Sequence, residues 1–282
     1  MSVVLRKLAR SIERAGAPLS VGLEPSPAYV HPIFGEGIKG LEQFLLCIIE
    51  ATHDLAAAVK PNVAFFESLG SRGWAMLERV RANVPDEMFV IIDAKRGDIG
   101  TTAEHYARAV FGNLGADAVT VNPLMGADSV EPFLSWGDRL TYLLCLTSNL
   151  GAGDFLERDD LAMRIAERAV RWDQGRGRLG LVVGATKDGQ RVRQIRSIAP
   201  ELPMLIPGIG AQGGSMDVAW QGARPGAGLG DCGVLMHVSR SILPMPKEPI
   251  HSEMQFVEMV RKRAMALRGV MSEAMSKEGS PA

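Results

Sequence analysis

The chain is poor in cysteine, and its three cysteines form no recognisable group. Cys47, Cys145 and Cys232 lie far apart in the sequence, are odd in number and include no C-x-x-C pair. A disulfide framework or a cysteine-ligated metal site would need closely spaced cysteines, so the sequence favours neither. Such cysteine usage is typical of a reducing compartment, and we expect a cytoplasmic protein.

The chain also lacks an excess of charge of either sign and any long apolar run. Its 31 Lys and Arg residues and 32 Asp and Glu residues nearly cancel, leaving a formal net charge of -1. A nucleic-acid-binding surface would show clustered Lys and Arg on a basic background, so we expect no nucleic-acid partner. No apolar stretch reaches the roughly 18 residues that span a bilayer, and residues 1–7 lack the apolar core of a signal peptide. We therefore expect no membrane partner.

The spacings that mark common metal sites and serine nucleophiles are missing too. The five histidines show neither H-x-x-x-H nor H-E-x-x-H, which argues against a histidine-ligated metal. Ser148 lacks the surrounding G-x-S-x-G that would mark it as the nucleophile of a serine hydrolase. We expect no metal among the site residues.

Apolar residues, in contrast, make up 46% of the 282 positions, enough to bury a large core. Short β-rich runs alternate with longer helical patterns, and most of the runs are continuously apolar, as in a parallel sheet covered on both faces. The predicted strands are residues 19–24, 58–63, 89–95, 118–123, 140–147, 179–185, 204–210 and 233–239. Predicted helices between them include residues 41–57, 73–83, 102–114 and 160–173.

Eight such units predict an α/β protein with a (β/α)8 TIM barrel, and a doubly wound open sheet is the structural alternative. We expect a single domain over residues 1–282, with the barrel core at about 18–245. Residues 5–15 and 254–275 predict extra N- and C-terminal helices, because their apolar residues recur at helical spacing. The polar tail of residues 276–282 is expected to fray.

Three fixed charges, Asp93, Lys95 and Asp98, follow the apolar third strand within six positions. Because side chains alternate along a strand, Asp93 and Lys95 should point the same way at its end. Burying ions is costly, and even a buried pair is often no better for stability than apolar packing. We infer that function keeps these charges there; an ordinary solvated turn is the alternative interpretation.

Other strand ends are polar as well. Glu24 ends the first strand and Lys60 lies in the second, while Ser148 and Arg240 follow the fifth and eighth. Active sites of TIM barrels lie at the C-terminal ends of the strands, so these side chains should converge on one rim.

A glycine-rich turn follows the seventh strand. Gly208, Gly210 and Gly213 satisfy G-x-G-x-x-G, but the dinucleotide motif belongs in a first βα turn, and six units precede this one. The position after strand seven, with Arg240 after strand eight, instead matches the usual phosphate site of barrels. Free backbone N–H groups of the glycines and two parallel hydrogen bonds from Arg240 would bind a phosphate group at this position. We infer a phosphorylated ligand.

The start of the helix after the third strand also bears on the site. Thr101-x-x-Glu104 has the form of a capping box, so Thr101 is expected to cap this helix. Thr102 is not needed for the cap and is a candidate for ligand contact.

Residues 93–102, Asp-Ala-Lys-Arg-Gly-Asp-Ile-Gly-Thr-Thr, resemble the signature of the orotidine 5'-phosphate decarboxylase family, in the branch found in mycobacteria and many other bacteria. The resemblance spans roughly residues 18–245 and continues through residues 59–67, 121–126, 147–149, 182–186, 207–214 and 239–240. The family usually has Asp where this chain has Glu24.

The resemblance implies a TIM-barrel carboxy-lyase that needs no cofactor and converts orotidine 5'-phosphate to uridine 5'-phosphate and CO2, the last step of de novo pyrimidine biosynthesis. It implies an alternating charged network of Lys60, Asp93, Lys95 and Asp98, with Lys95 as the proton donor to C6. The substrate-binding residues that it implies are Glu24, Ile99, Thr102, Ser148, Pro207, Gln212 and Arg240.

The resemblance further implies a homodimer with shared active sites, in which Asp98, Ile99 and Thr102 reach into the neighbouring subunit's site. Two other functions remain open. A Mg²⁺-dependent enzyme of the same barrel superfamily, acting on a keto-sugar phosphate, would use the acidic residues as metal ligands. A non-catalytic sensor of a phosphorylated ligand would need the phosphate site but not a buried proton donor.

Overall fold

Eight parallel strands close into a barrel in a computed structural model that describes residues 1–210 and 213–278. The strands are β1 Leu19–Leu23, β2 Ala58–Pro61, β3 Phe89–Arg96, β4 Ala118–Val121, β5 Leu140–Leu146, β6 Leu179–Val183, β7 Met204–Pro207 and β8 Val234–Val238. Each strand pairs in parallel with its sequence neighbours, and β1 also pairs with β8. The predicted TIM barrel is confirmed, and the open-sheet alternative is wrong.

All the predicted strands are present, and the differences lie at their ends. β3 extends one residue further than predicted, whereas the other seven stop one to three residues early. These early stops all lie at the C-terminal mouth, where the backbone leaves the sheet and presents polar side chains. Hydrophobic patterns place the ends of strands less accurately than their existence, so differences of this size are expected there.

Helices connect the strands and cover the barrel. They are α1 Val3–Ala15, α2 Gly37–Thr52, α3 Val63–Glu67, α4 Gly70–Ala82, α5 Gly100–Ala107, α6 Ala127–Leu134, α7 Leu161–Asp173, α8 Gly189–Ile198, α9 Met216–Trp220 and α10 Glu253–Glu278. Within the described ranges, none of these helices is long and apolar enough to cross a membrane.

The helix after β3 differs from the prediction. α5 begins at Gly100, whose φ of 55° is easily adopted only by glycine, and it continues as a π-helix over Arg108–Asn113. Its N-cap position is Ile99, without a side-chain capping hydrogen bond. The predicted capping role of Thr101 is therefore wrong, because the helix has already begun one residue earlier.

The two predicted terminal helices are confirmed as α1 and α10. α1 lies across the N-terminal end of the barrel, where Lys7 Nζ is 2.8 Å from a carboxylate oxygen of Asp117. The Asp117 carboxylate also accepts a hydrogen bond from the Val90 N–H and so ties α1 to two strands. α10 ends at Glu278, three residues into the tail that was expected to fray, and residues 279–282 lie outside the described ranges.

The barrel interior is apolar at its N-terminal end. Tyr142 of β5 is fully buried there, and its ring lies against Gly180 of β6. A Cβ at Gly180 would lie 2.7 Å from that ring, so a glycine is required at this position. Polar side chains gather at the opposite end of the barrel, where the candidate site lies.

Candidate active site

A cavity of about 480 Å³ opens at the C-terminal ends of the strands. Apolar side chains such as Leu144, Val182 and Leu205 form part of its wall. Seven of the eleven predicted site residues also line it, namely Glu24, Lys60, Asp93, Lys95, Ser148, Pro207 and Arg240. An apolar pocket with a few convergent polar groups is the usual form of a small-molecule site.

The carboxylate of Asp93 joins two lysines at the bottom of this cavity. Lys60 Nζ lies 2.7 Å from Oδ2 of Asp93, and Lys95 Nζ lies 2.6 Å from Oδ1. The side chain of Lys60 is 4% exposed, whereas that of Lys95 is 49% exposed. Burial alone would raise the pKa of Asp93, but the positive charges of Lys60 and Lys95 outweigh it and hold that pKa well below its ordinary value.

The backbone leaves regular strand geometry at Lys95. Its φ is 48°, and the register between β3 and β4 shifts between Ile92 and Arg96. Like a β-bulge, such a register shift can re-aim a side chain near an active site. A positive φ at a non-glycine residue is strained and persists only where its surroundings enforce it. The contact between Asp93 and Lys95 thus forms where the backbone is irregular and does not follow from strand alternation alone.

Thr120 of β4 contacts the same cluster and was not among the predicted site residues. Its hydroxyl donates a hydrogen bond to Asp93 Oδ1 at 2.9 Å. It accepts hydrogen bonds from the backbone N–H groups of Ala94 and Lys95, at 3.0 and 2.9 Å. The only sequence signal was a single hydroxyl within an apolar strand, which is too common to mark a site.

His237 of β8 is a second residue that the sequence reasoning did not place in the site. It is buried in the cavity wall, with Nδ1 3.2 Å from the hydroxyl oxygen of Ser20. Burial and the neighbouring charge of Lys60 lower the pKa of His237 well below its usual range. A neutral imidazole is therefore expected beside the charged cluster.

Glu24 and Arg240 lie on the part of the rim formed by β1 and β8. Glu24 Oε2 accepts a hydrogen bond of 2.8 Å from the Ser239 hydroxyl. A Cβ at Gly22 would lie 2.7 Å from Cβ of Ser239, so the absence of a side chain at Gly22 makes room for Ser239. The guanidinium of Arg240 lies 5.9 Å from the ring centre of Tyr29 and borders the cavity.

The glycine turn after β7 differs in part from the predicted anion site. Gly208, Gly210 and Gly213 have φ values of 98°, 75° and 81°, as a left-handed turn requires. The N–H groups of Gly210, Gly213 and Gly214 donate to carbonyl groups within the turn, so these three are not free for an anion. Gln212, a predicted substrate-binding residue, lies outside the described residues.

Asp98, Ile99 and Thr102 do not line the cavity of their own chain. Asp98 Oδ1 accepts a hydrogen bond from the Ile99 N–H at 2.8 Å, in the loop that precedes α5. The side chain of Ile99 is half exposed, and Thr102 is exposed in the first turn of α5. Their expected contribution to a neighbouring subunit's site stays a prediction.

Across the described residues, no three His, Cys, Asp or Glu side chains are grouped as the ligands of a metal ion would be. The three cysteines are unpaired and buried. Burial raises the pKa of the Cys145 thiol to about 12, so this residue has little nucleophilic character.

Known proteins similar to this chain point to one family. Residues 18–247 match the family described as "Orotidine 5'-phosphate decarboxylase / HUMPS family". The orotidine 5'-phosphate decarboxylase of Roseiflexus castenholzii is 41% identical over 262 residues, which cover 91% of this chain and 93% of the relative. The enzyme of the same name from Herpetosiphon aurantiacus is 43% identical over 231 residues, covering 80% and 83% of the two chains.

Solved structures agree with the sequence relatives. The structure of Leishmania donovani OMP decarboxylase matches with a TM-score of 0.76 and 36% identity, covering 95% of this chain and 99% of that one. A putative orotidine-monophosphate-decarboxylase from Toxoplasma gondii matches with a TM-score of 0.82 and 32% identity, covering 97% of each chain.

Proposed function

This chain belongs to the orotidine 5'-phosphate decarboxylase family, and from that premise we propose that Lys95 supplies the proton that replaces the departing carboxyl group. The chain is a carboxy-lyase that converts orotidine 5'-phosphate to uridine 5'-phosphate and CO2, the last step of UMP biosynthesis. The Mg²⁺-dependent keto-sugar-phosphate enzyme considered as an alternative is not favoured, because the curated relatives carry the decarboxylase name.

The reaction has a specific electrostatic requirement. When the bond between C6 and the carboxyl carbon breaks, its electron pair stays on C6 and CO2 departs. That pair lies in the plane of the pyrimidine ring, so the ring cannot delocalise it. A cation fixed beside C6 stabilises the developing charge, and the ammonium of Lys95 then donates a proton to C6 and regains one from water.

The energies involved favour stabilisation of the charge on C6, and not repulsion of the substrate carboxylate, as the main source of the rate increase. Asp93 could repel the substrate carboxylate, but two like charges ~4 Å apart repel by only about 4 kcal/mol at an effective dielectric near 20. Enzymes typically lower barriers by about 8–23 kcal/mol. A pre-organised cation must therefore supply more of the effect than ground-state strain does. In this proposal Asp93 and Asp98 chiefly keep Lys60 and Lys95 charged and aimed.

The single observation that carries this assignment is the geometry of the Lys60–Asp93–Lys95 cluster. One buried carboxylate binds an ammonium on each oxygen, at 2.7 and 2.6 Å. Both lysines line the cavity, and the Lys95 side chain is by far the more exposed of the two. A cation in that position can meet a ligand atom without losing its carboxylate partner.

The remaining site residues are proposed to bind the rest of the nucleotide. Glu24 would hold ribose hydroxyl groups, Arg240 and Gln212 the phosphate, and Ser148 and Pro207 other parts of the substrate. Binding of a remote phosphate can be used to close loops over the ring and exclude water, so its loss should reduce turnover as well as affinity.

We also propose a homodimer with shared active sites. Support comes from exposed apolar side chains on the loops that follow β3 and β4, where Ile99, Leu124 and Met125 are each about half exposed. Apolar groups of this kind mark protein contact surfaces. A single domain over residues 1–282, a cytoplasmic location and a reaction without a cofactor complete the proposal; the unpaired cysteines fit a reducing compartment.

A direct assay tests the proposed function. Purified protein is mixed with orotidine 5'-phosphate, and its loss is followed by ultraviolet absorbance together with release of CO2, with and without a metal chelator. We expect equal rates in both conditions. Loss of activity on chelation would contradict the cofactor-free reaction, and failure to consume orotidine 5'-phosphate would contradict the function itself.

A further inference from the structure

We propose that Thr120 is a positioning residue of this site, which fixes the carboxylate of Asp93 and the backbone of Lys95 through a single hydroxyl group. This inference rests on the proposed function, because it assumes that Lys95 is the proton donor and Asp93 its ionic partner. Thr120 lies on β4, a different strand from both residues, so it connects the cluster to a rigid neighbouring element.

The hydroxyl of Thr120 uses its full hydrogen-bonding capacity. A hydroxyl has one proton to donate and two lone pairs that can accept. The N–H groups of Ala94 and Lys95 occupy the lone pairs at 3.0 and 2.9 Å, and the proton goes to Asp93 Oδ1 at 2.9 Å. The donor and acceptor roles are therefore fixed by the backbone, because an N–H group cannot accept.

This arrangement acts on the part of the chain that sets the direction of Lys95. Lys95 has a φ of 48°, which its own side chain disfavours, and two consecutive N–H groups that bind one oxygen hold the backbone in that turn. The same oxygen binds the carboxylate oxygen that contacts Lys95 Nζ. Thr120 thus holds the backbone of Lys95 directly and its ammonium through the carboxylate of Asp93.

Removal of the hydroxyl should therefore misdirect the ammonium without removing a group that binds the nucleotide. The proposed ribose and phosphate contacts come from Glu24 and Arg240, which follow β1 and β8 respectively. Small misplacements of a reacting group reduce the rate strongly. A loss in kcat with affinity preserved is the expected signature.

The test compares Thr120→Val with Thr120→Ser and with a matched control. Valine keeps the shape of threonine but has no hydroxyl, whereas serine keeps the hydroxyl. Thr141→Val makes the same chemical change on β5, at a buried threonine whose hydroxyl finds no hydrogen-bond partner among the described residues. The measurements are kcat with orotidine 5'-phosphate and the dissociation constant of uridine 5'-phosphate.

We expect Thr120→Val to lower kcat by about 10-fold to 100-fold, with Thr120→Ser and Thr141→Val close to the parent and product affinity little changed. A kcat for Thr120→Val within about twofold of the parent would overturn the proposal, as would an equal loss of kcat and product affinity. If Thr120→Val does not fold, Thr120→Cys replaces it, because a thiol is a weak hydrogen-bonding group. A parental kcat in Thr120→Cys would likewise overturn the proposal.

These outcomes are distinct from failure of the proposed function. A parent protein that does not consume orotidine 5'-phosphate contradicts the function, whatever Thr120 does. A parent that is active and loses activity in Lys95→Ala, but not in Thr120→Val, contradicts only the positioning role.

Discussion

Lys60 and Lys95 bind different oxygen atoms of one carboxylate, at 2.7 and 2.6 Å, yet they differ more than tenfold in exposure. Lys60 is enclosed by the barrel, whereas Lys95 projects into the cavity at the end of a strained turn. Both ammonium groups bind Asp93 and both lysines line the cavity, but the Lys95 side chain is the more accessible to a ligand. This asymmetry is consistent with the proposed roles, in which Lys60 supports the cluster and Lys95 donates the proton.

Replacement of Lys95 by alanine should abolish decarboxylation and leave nucleotide binding in place. Loss of a proton donor and a stabilising cation together corresponds to a loss in kcat of about 10³-fold or more. Stability should change little, because Lys95 is half exposed and Asp93 keeps Lys60. The checks are product formation and binding of uridine 5'-phosphate. Lys39→Ala, at an exposed lysine of α2, is the control, and residual activity of Lys95→Ala within about tenfold of the parent would refute the role.

Replacement of Arg240 by alanine should reduce kcat/KM without unfolding the protein. Charge-assisted hydrogen bonds are worth about 1.5–3 kcal/mol each, so a two-pronged phosphate contact corresponds to about 10²–10⁴-fold in kcat/KM. The decisive comparison is with orotidine, which lacks the phosphate. Arg240→Ala should act on orotidine as the parent does, since no phosphate contact is lost there. An equal loss with both substrates, or no loss with either, would remove Arg240 from the phosphate site.

The sequence was sufficient for the barrel because the strands are apolar runs, and seven of the eight begin at the predicted residue, as β3 does at Phe89, while β8 begins one residue later. It was sufficient for the charged cluster because Asp93 and Lys95 interrupt such a run. It was not sufficient for Thr120, because a hydroxyl in a strand has no distinguishing pattern until its partners on the next strand are known. Nor did it reveal the positive φ of Lys95, which comes from tertiary contacts and not from a glycine.

The two local errors have related causes. The capping prediction at Thr101 considered side chains only, whereas Gly100 starts the helix through its backbone freedom. The prediction of free backbone N–H groups in the turn after β7 rested on its glycine content alone. Three glycine N–H groups there bind carbonyl groups of their own turn, a pairing that depends on the exact course of the backbone.

His237 should make the fold less stable in mild acid. Its pKa in the folded protein lies well below the ordinary 6.5, so the unfolded chain takes up a proton at a pH where the folded protein does not. Stability is then fully present above about pH 6.5 and falls with decreasing pH, by up to about 1.4 kcal/mol per pH unit. Urea unfolding from pH 7 to pH 5 measures this slope, which should be shallower in His237→Asn.

His251→Asn provides the comparison, because His251 is exposed and lies outside the cavity. This variant should keep the parental dependence of unfolding free energy on pH. A His237→Asn variant with the same dependence as the parent would show that another group controls acid stability.

Shared active sites predict complementation between two inactive variants. Lys95→Ala removes a group from its own chain's cavity, whereas Asp98→Ala removes one that is expected to act in the neighbouring chain's site. Because a dimer has two equivalent sites, random reassociation of equal amounts should give half heterodimers with one intact site each, and about a quarter of parental activity.

Lys95→Ala mixed with Lys60→Ala should stay inactive, since both lysines line the cavity of their own chain. Sedimentation confirms the dimers, and dimers that form without recovered activity would place Asp98 outside the neighbouring site.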